Sequence, residues 1–150
     1  MRHDPSTQNR QRGAVLVELA VVMPILLFLF VGVVDYGLIL REYQILQNGA
    51  REGARLSMLP AYKIEGTTAQ QNAKRDTIRQ RVVDYLATEQ ITIALSDVTV
   101  NQTTTIDMGG GLLAGASKVT VNYNRTLLIG NGWPFGPVSL RGEATFRNLY

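Results

Sequence analysis

Hydrophobic positions in this chain follow three patterns in succession. From Ala14 to Val34 they are almost continuous, and Glu18 is the only charged residue among them. A bilayer-spanning helix needs about 20 predominantly apolar residues, whereas a helix at a soluble surface keeps a polar side. Further on, Leu38, Ile39, Ile45, Leu46, Ala50, Ala54, Leu56 and Met58 form a helical apolar stripe, while Arg41, Glu42, Arg51, Glu52 and Arg55 fall elsewhere. The two patterns together predict one helix from Ala14 to Leu59, roughly 69 Å long at 1.5 Å per residue. Pro60 ends it. A second, amphipathic helix is predicted over 67–87, where Ile78, Val82 and Leu86 recur every fourth residue.

From Ile91 the period drops to two. Ile91, Ile93 and Leu95 alternate, and one parity is shared by Val98, Val100 and Ile106, then by Val119, Val121 and Tyr123, and finally by Val138, Leu140, Ala144 and Phe146. Such alternation predicts half-buried antiparallel strands, and a helix laid on their apolar face would complete a core. The expected fold is α+β: a transmembrane helix continuing as a stalk, then a head of one amphipathic helix and an antiparallel sheet of about four strands. The predicted divisions are 1–13, 14–59 and 60–150. Two loops interrupt the strands. Asp107 to Ser117 is rich in glycine but lacks the glycine, lysine and hydroxyl spacing of a phosphate loop, and reads as a hairpin connection. Gly130 to Pro137 sets Trp133 and Phe135 among glycines and prolines, where they either tuck onto the core or form a contact surface for another component.

Several residues in the first half call for a chemical reason. An acid near the bilayer centre costs roughly 2.5–3.5 kcal/mol on insertion scales. Read from the residues alone, Glu18 is either an acid tolerated close to the interface or one half of a polar pair in a helix bundle. Pro24 removes a backbone hydrogen bond to Ala20 and is expected to kink or loosen the helix. Gly49 and Gly53 stand four apart beside Ala50 and Ala54, a small-residue face that permits close approach of another helix or a sheet. That partner is either the chain's own head or a second subunit.

The stretch from Arg12 to Pro24, RGAVLVELAVVMP, resembles a type IV prepilin N-terminus: a basic polar leader ends at Gly13, and Glu18 is the fifth residue counted from Ala14. Pro24, six residues after the glutamate, narrows the resemblance to the TadE-like family of minor pilins. Asp35-Tyr36-Gly37 and the run from Gln47 to Arg55 agree with it. The resemblance covers roughly residues 12 to 59. It implies cleavage between Gly13 and Ala14 by a prepilin peptidase, and a Glu18 carboxylate that neutralises the new amino group on Ala14 of a neighbouring subunit. A buried acid of this kind selects a correctly staggered neighbour, because opposite charges attract strongly in a low-dielectric setting.

Composition narrows the choice of function. The chain has 150 residues and a formal charge of +3, but the leader holds Arg2, Arg10 and Arg12 against Asp4, so its removal lowers the charge to +1. The basic residues of the second predicted helix, Lys74, Arg75, Arg79 and Arg81, are interrupted by Asp76 and Asp84 and read as a solvated face rather than a nucleic-acid surface. There is no cysteine, and the one histidine, His3, is in the leader. The usual nucleophile–base pairs and most transition-metal sites are therefore missing from the remainder. No catalytic residue, metal, cofactor or small-molecule substrate is expected. Arginines on the short flank favour a cytoplasmic N-terminus and an extracytoplasmic head.

The resemblance implies a minor pilin or pseudopilin for a tight-adherence (Flp-type) pilus, serving attachment and biofilm formation at the bacterial inner membrane. Its partners would be a prepilin peptidase, other pilins, inner-membrane assembly proteins and the lipid bilayer. The alternative is an uncleaved membrane-anchored protein with an extracytoplasmic binding head.

Overall fold

The computed structural model describes the backbone of residues 5–128 and 136–150, and the side chains of 15–128 and 136–150. Helix α1 (Pro5–Ser57) carries the chain through the apolar run and into the head without interruption. Its apolar side chains between Val15 and Phe30, such as Leu27, Leu29 and Phe30, are exposed. Past Asp35 one side turns inward, burying Ile45, Leu46, Ala50 and Ala54. The helix ends two residues before the predicted Leu59, and Leu59 instead caps a single 3-10 turn over Pro60–Tyr62.

Helix α2 (Thr68–Thr88) matches its predicted span to within a residue, and its buried residues are Ile78, Val82 and Leu86. Thr67 caps it: its hydroxyl accepts from Gln70 N, while Gln70 Oε1 accepts from Thr67 N at 3.0 Å. This reciprocal pair satisfies two amide donors that a helix start leaves open.

Among the described residues three strands follow rather than about four: β1 (Val98–Asp107), β2 (Leu113–Arg125) and β3 (Val138–Arg147). They form an antiparallel meander with β2 in the centre. The predicted first strand over Ile91 to Leu95 is absent. Ile91 and Ile93 are buried as their alternation suggested, but they pack into the core without a ladder. A 3-10 turn over Leu95–Asp97 then redirects the chain, with Asp97 accepting from Ala94 N at 2.9 Å. Alternation reports which side chains are buried, and pairing needs a neighbouring strand as well.

A bulge corrects a second expectation. The β1–β2 register shifts between Asn101 and Thr104, so Val98 and Val100 stand opposite Val121 and Val119, whereas Ile106 stands opposite Ala114. The extra residue moves Ile106 to the other side of the sheet despite its matching parity. Phe146, also expected inward, remains partly exposed opposite Ser117. The β1–β2 connection is shorter than Asp107 to Ser117, because β2 begins at Leu113. Gly109, Gly110 and Gly111 turn it with positive φ, which suits glycine.

One core joins these parts. Ile45, Leu46, Ala50 and Ala54 of α1 and Ile78, Val82 and Leu86 of α2 meet Val98, Val100, Val119, Val121 and Leu140 of the sheet. Close approach depends on two glycines. A Cβ on Gly53 would overlap Val82, and one on Gly142 would lie 2.5 Å from the backbone carbonyl of Leu46. At its far end α1 is held by polar groups. Gln102, in the bulge, donates to Ser57 O at 2.8 Å and Tyr62 O at 2.9 Å and accepts from Ile64 N, while Leu149 N donates to Met58 O at 3.0 Å. Carbonyls that a helix end leaves open are thereby satisfied inside the head.

Candidate assembly and membrane-boundary sites

The Gly13–Ala14 junction is an internal peptide of α1. Ala14 and Glu18 are four residues apart and therefore lie on one side of the helix, about one turn of 5.4 Å from each other. The Glu18 side chain is exposed and makes no ion pair or hydrogen bond with any described residue. Pro24 lies inside the continuous helix, so the carbonyl of Ala20 has no amide donor at that position.

Gly49 and Gly53 face the chain's own head. A Cβ on Gly49 would meet Leu86 Cδ2 at 3.1 Å, and beyond Gly53 stand Val82 and Val119. Of the two partners the sequence allows, the structure supplies the internal one. Trp133 and Phe135 lie outside the described residues.

The structure also assembles a site that hydrophobic patterning did not reveal. Asp35 and Glu42 are seven residues apart on the side of α1 that meets the sheet, and both reach Arg125 at the end of β2. Arg125 Nη2 lies 3.5 Å from Asp35 Oδ1, and Arg125 Nη1 bonds Glu42 Oε1. Both Asp35 oxygens accept from Leu128 N at 3.0 Å. Asp35 and Arg125 are buried, at 4% and 7% exposure. Glu42 Oε2 and Arg125 Nε find no hydrogen-bond partner among the described residues. Asp35 thus closes the apolar run with a carboxylate sealed by its own chain instead of one presented to the surroundings. The i, i+7 spacing of Asp35 and Glu42 could have shown that they share a side of α1. That Arg125, 90 residues away from Asp35, completes the group was not available before the strand register was known.

A groove of about 680 Å³ runs between α1 and α2, lined by Glu52, Leu56, Tyr62, Asp76, Gln80 and Asp84 among others. Its acids are already engaged: Glu52 with Arg81, Asp76 with Arg79 and Asp84 with Gln80. Among the described residues, no group of three or more His, Asp or Glu could hold a metal ion.

The N-terminal part of α1 combines a small-residue junction, an exposed acid one turn later, a proline and a sealed aspartate where the apolar run ends. Residues 13–55 match the family model for TadE-like protein. The TadE-like segment thus begins at the predicted cleavage junction and ends within the last turn of α1. It suggests a protein associated with the tight-adherence pilus. The exposed apolar helix within it is able to span a membrane, consistent with a single-pass membrane protein. No curated protein and no solved structure matches the chain.

Proposed function

We propose that the chain is the precursor of a minor pilin or pseudopilin of a tight-adherence pilus, with an assembly role and no catalytic one. A prepilin peptidase cuts it between Gly13 and Ala14. The apolar helix holds it in the inner membrane with the N-terminus cytoplasmic and the head outside, until other pilins and the assembly machinery draw it into, or to the base of, a filament that serves attachment and biofilm formation. The reading is carried by the position of Glu18. Within a TadE-like segment, this acid stands one turn after the proposed new amino terminus, exposed and unpaired in an apolar run, Ala14 to Val34, that holds no other charge. A carboxylate in that setting lowers its cost by pairing with a cation, and the Ala14 amine of a neighbouring subunit is a chemically suitable one.

The test is the intact mass and N-terminal sequence of membrane-extracted protein, made with and without a matching prepilin peptidase. A start at Ala14 that depends on the peptidase is the expected result. A chain that still begins at Met1 overturns the proposal and favours an uncleaved anchor with a binding head. Glu18→Ala, followed through processing and pilus assembly in cells, addresses the acid itself, and normal piliation would remove its assigned role.

A further inference from the structure

We propose that a cleft between α2 and the bulge of β1 binds a sugar that carries a carboxylate, of the uronic acid class, as a unit of an acidic polysaccharide. The cleft holds about 550 Å³ and is lined by Gln71, Arg75 and Arg79 of α2 and by Thr99, Asn101 and Thr103 of β1, among others. Spacings of four bring the three α2 residues to one side of the helix. On the strand, the register shift between Asn101 and Thr104 re-aims the side chains, as bulges do. Asn101 Oδ1 accepts from Thr103 N at 2.8 Å and from the Thr103 hydroxyl at 2.7 Å, while Gln102 Oε1 accepts from Ile64 N. These side-chain acceptors are therefore already engaged.

The charges decide the class of ligand. Arg79 donates from Nε to Val98 O at 3.0 Å and from Nη1 to Asp76 Oδ1 at 3.1 Å, so its charge is matched. Arg75 is half-buried and makes no hydrogen bond or ion pair with any described residue. No carboxylate lines the cleft among the described residues. A guanidinium drawn out of water without a counter-charge is costly, and its planar fork fits the two oxygens of a carboxylate. One unmatched positive charge suits a monoanion better than a doubly charged phosphate. The volume exceeds what a carboxylate alone would fill, and the hydroxyls and amides around Arg75 can pair with the hydroxyls of a sugar ring. The cleft belongs to the head alone, so the inference does not rest on cleavage at Gly13 or on the role of Glu18.

The test is the binding of trigalacturonate to the full chain in a polyoxyethylene detergent, which carries neither charge nor sugar, followed by calorimetric titration. The acid should bind and its uncharged methyl ester should not. Arg75→Gln should weaken binding roughly 10- to 100-fold, the usual size of a lost charge-assisted hydrogen bond. Its near-UV circular dichroism should match the parent, because Arg75 holds no other described residue in place. Arg75→Lys, which keeps the charge and loses the fork, should fall between the two. Arg55→Gln removes an exposed arginine of α1 and the same net charge, and it should bind as the parent does. The inference is overturned if trigalacturonate does not bind, if the ester binds equally well, or if Arg55→Gln weakens binding as much as Arg75→Gln, which would mark a diffuse attraction. Inorganic phosphate that binds as tightly as trigalacturonate also overturns it, since the cleft would then take any small oxyanion.

Discussion

The two halves of α1 are continuous in backbone and different in every other respect. In the first, the helix surface is apolar and open; in the second, one stripe is apolar and covered. Their glycines record the difference. A Cβ added at Gly32 or Gly37 would meet nothing within 4 Å, whereas one at Gly49 or Gly53 would meet α2 at once. Small residues on a helix are thus no evidence of a subunit contact until the chain's own packing has been accounted for. In the first half the residues that call for a partner are Glu18 and the exposed apolar surface. In the second, the partners are already present in the head.

The strongest way to break this arrangement is at the junction of the halves. Arg125→Ala leaves the buried Asp35 and the half-buried Glu42 without their cation, and breaking a buried ion pair in this way costs about 3–5 kcal/mol. The head should melt at a markedly lower temperature in detergent, followed by near-UV circular dichroism. An unchanged melting temperature would mean that the cluster does not fix the head to the helix.

Much of this division was legible in the chain. The continuous run to Val34 and the stripe beyond it follow from the periods alone, and the repeats at Ile78, Val82 and Leu86 located the core side of α2. What escaped depended on contacts between distant residues. Ile91 and Ile93 alternate like a strand because burial alternates, although no ladder forms there. Ile106 keeps the parity of Val98 and changes side because Asn101 to Thr104 contains a bulge. Gly142 gives no signal in a strand sequence, yet it is the point where β3 touches the α1 backbone. The candidate site divides in the same way. Glu18 stood out as a charge in an apolar run, while Arg125 looked like any arginine at a strand end.

Within the covered half, Gly53→Ala should destabilise the head by about 1–3 kcal/mol, the usual effect of forcing a methyl into a filled core. Val82 and Val119 would have to move to admit it. A Val82→Ala change made together with it should recover part of the loss, which a purely helical effect would not do. In the open half the sign reverses. Gly32→Ala meets no neighbour, and alanine favours a helix interior over glycine by up to about 1 kcal/mol. Thermal unfolding of the head should be unchanged or slightly delayed. If Gly32→Ala instead lowered the yield of assembled filament while leaving melting intact, position 32 would be a site of close approach between subunits.

The smallest effect is expected where charges meet in water, which sharpens the contrast with Arg125. Lys63 Nζ lies 2.6 Å from Glu65 Oε2, and both side chains are largely solvated, at 44% and 58% exposure. The hydrogen bond to Glu65, and then its charge, raise the lysine pKa above its ordinary value; the same hydrogen bond and charge of Lys63 lower that of the glutamate. For the lysine, the stabilisation is complete below its unfolded pKa and is lost as pH rises through the raised folded value. For the glutamate, it is present above the unfolded pKa and is lost as pH falls through the lowered folded value. Any contribution of the pair is therefore a plateau across neutral pH that fades toward both extremes. Exposed pairs are screened by salt and hold two long side chains in place at an entropic cost. Glu65→Gln should leave the melting temperature at pH 7 and physiological salt within error of the parent. A clear loss there would show that the turn after α1, where Lys63 also lies 5.5 Å from the ring of Tyr150, is fixed by charge rather than by the hydrogen bonds of Gln102.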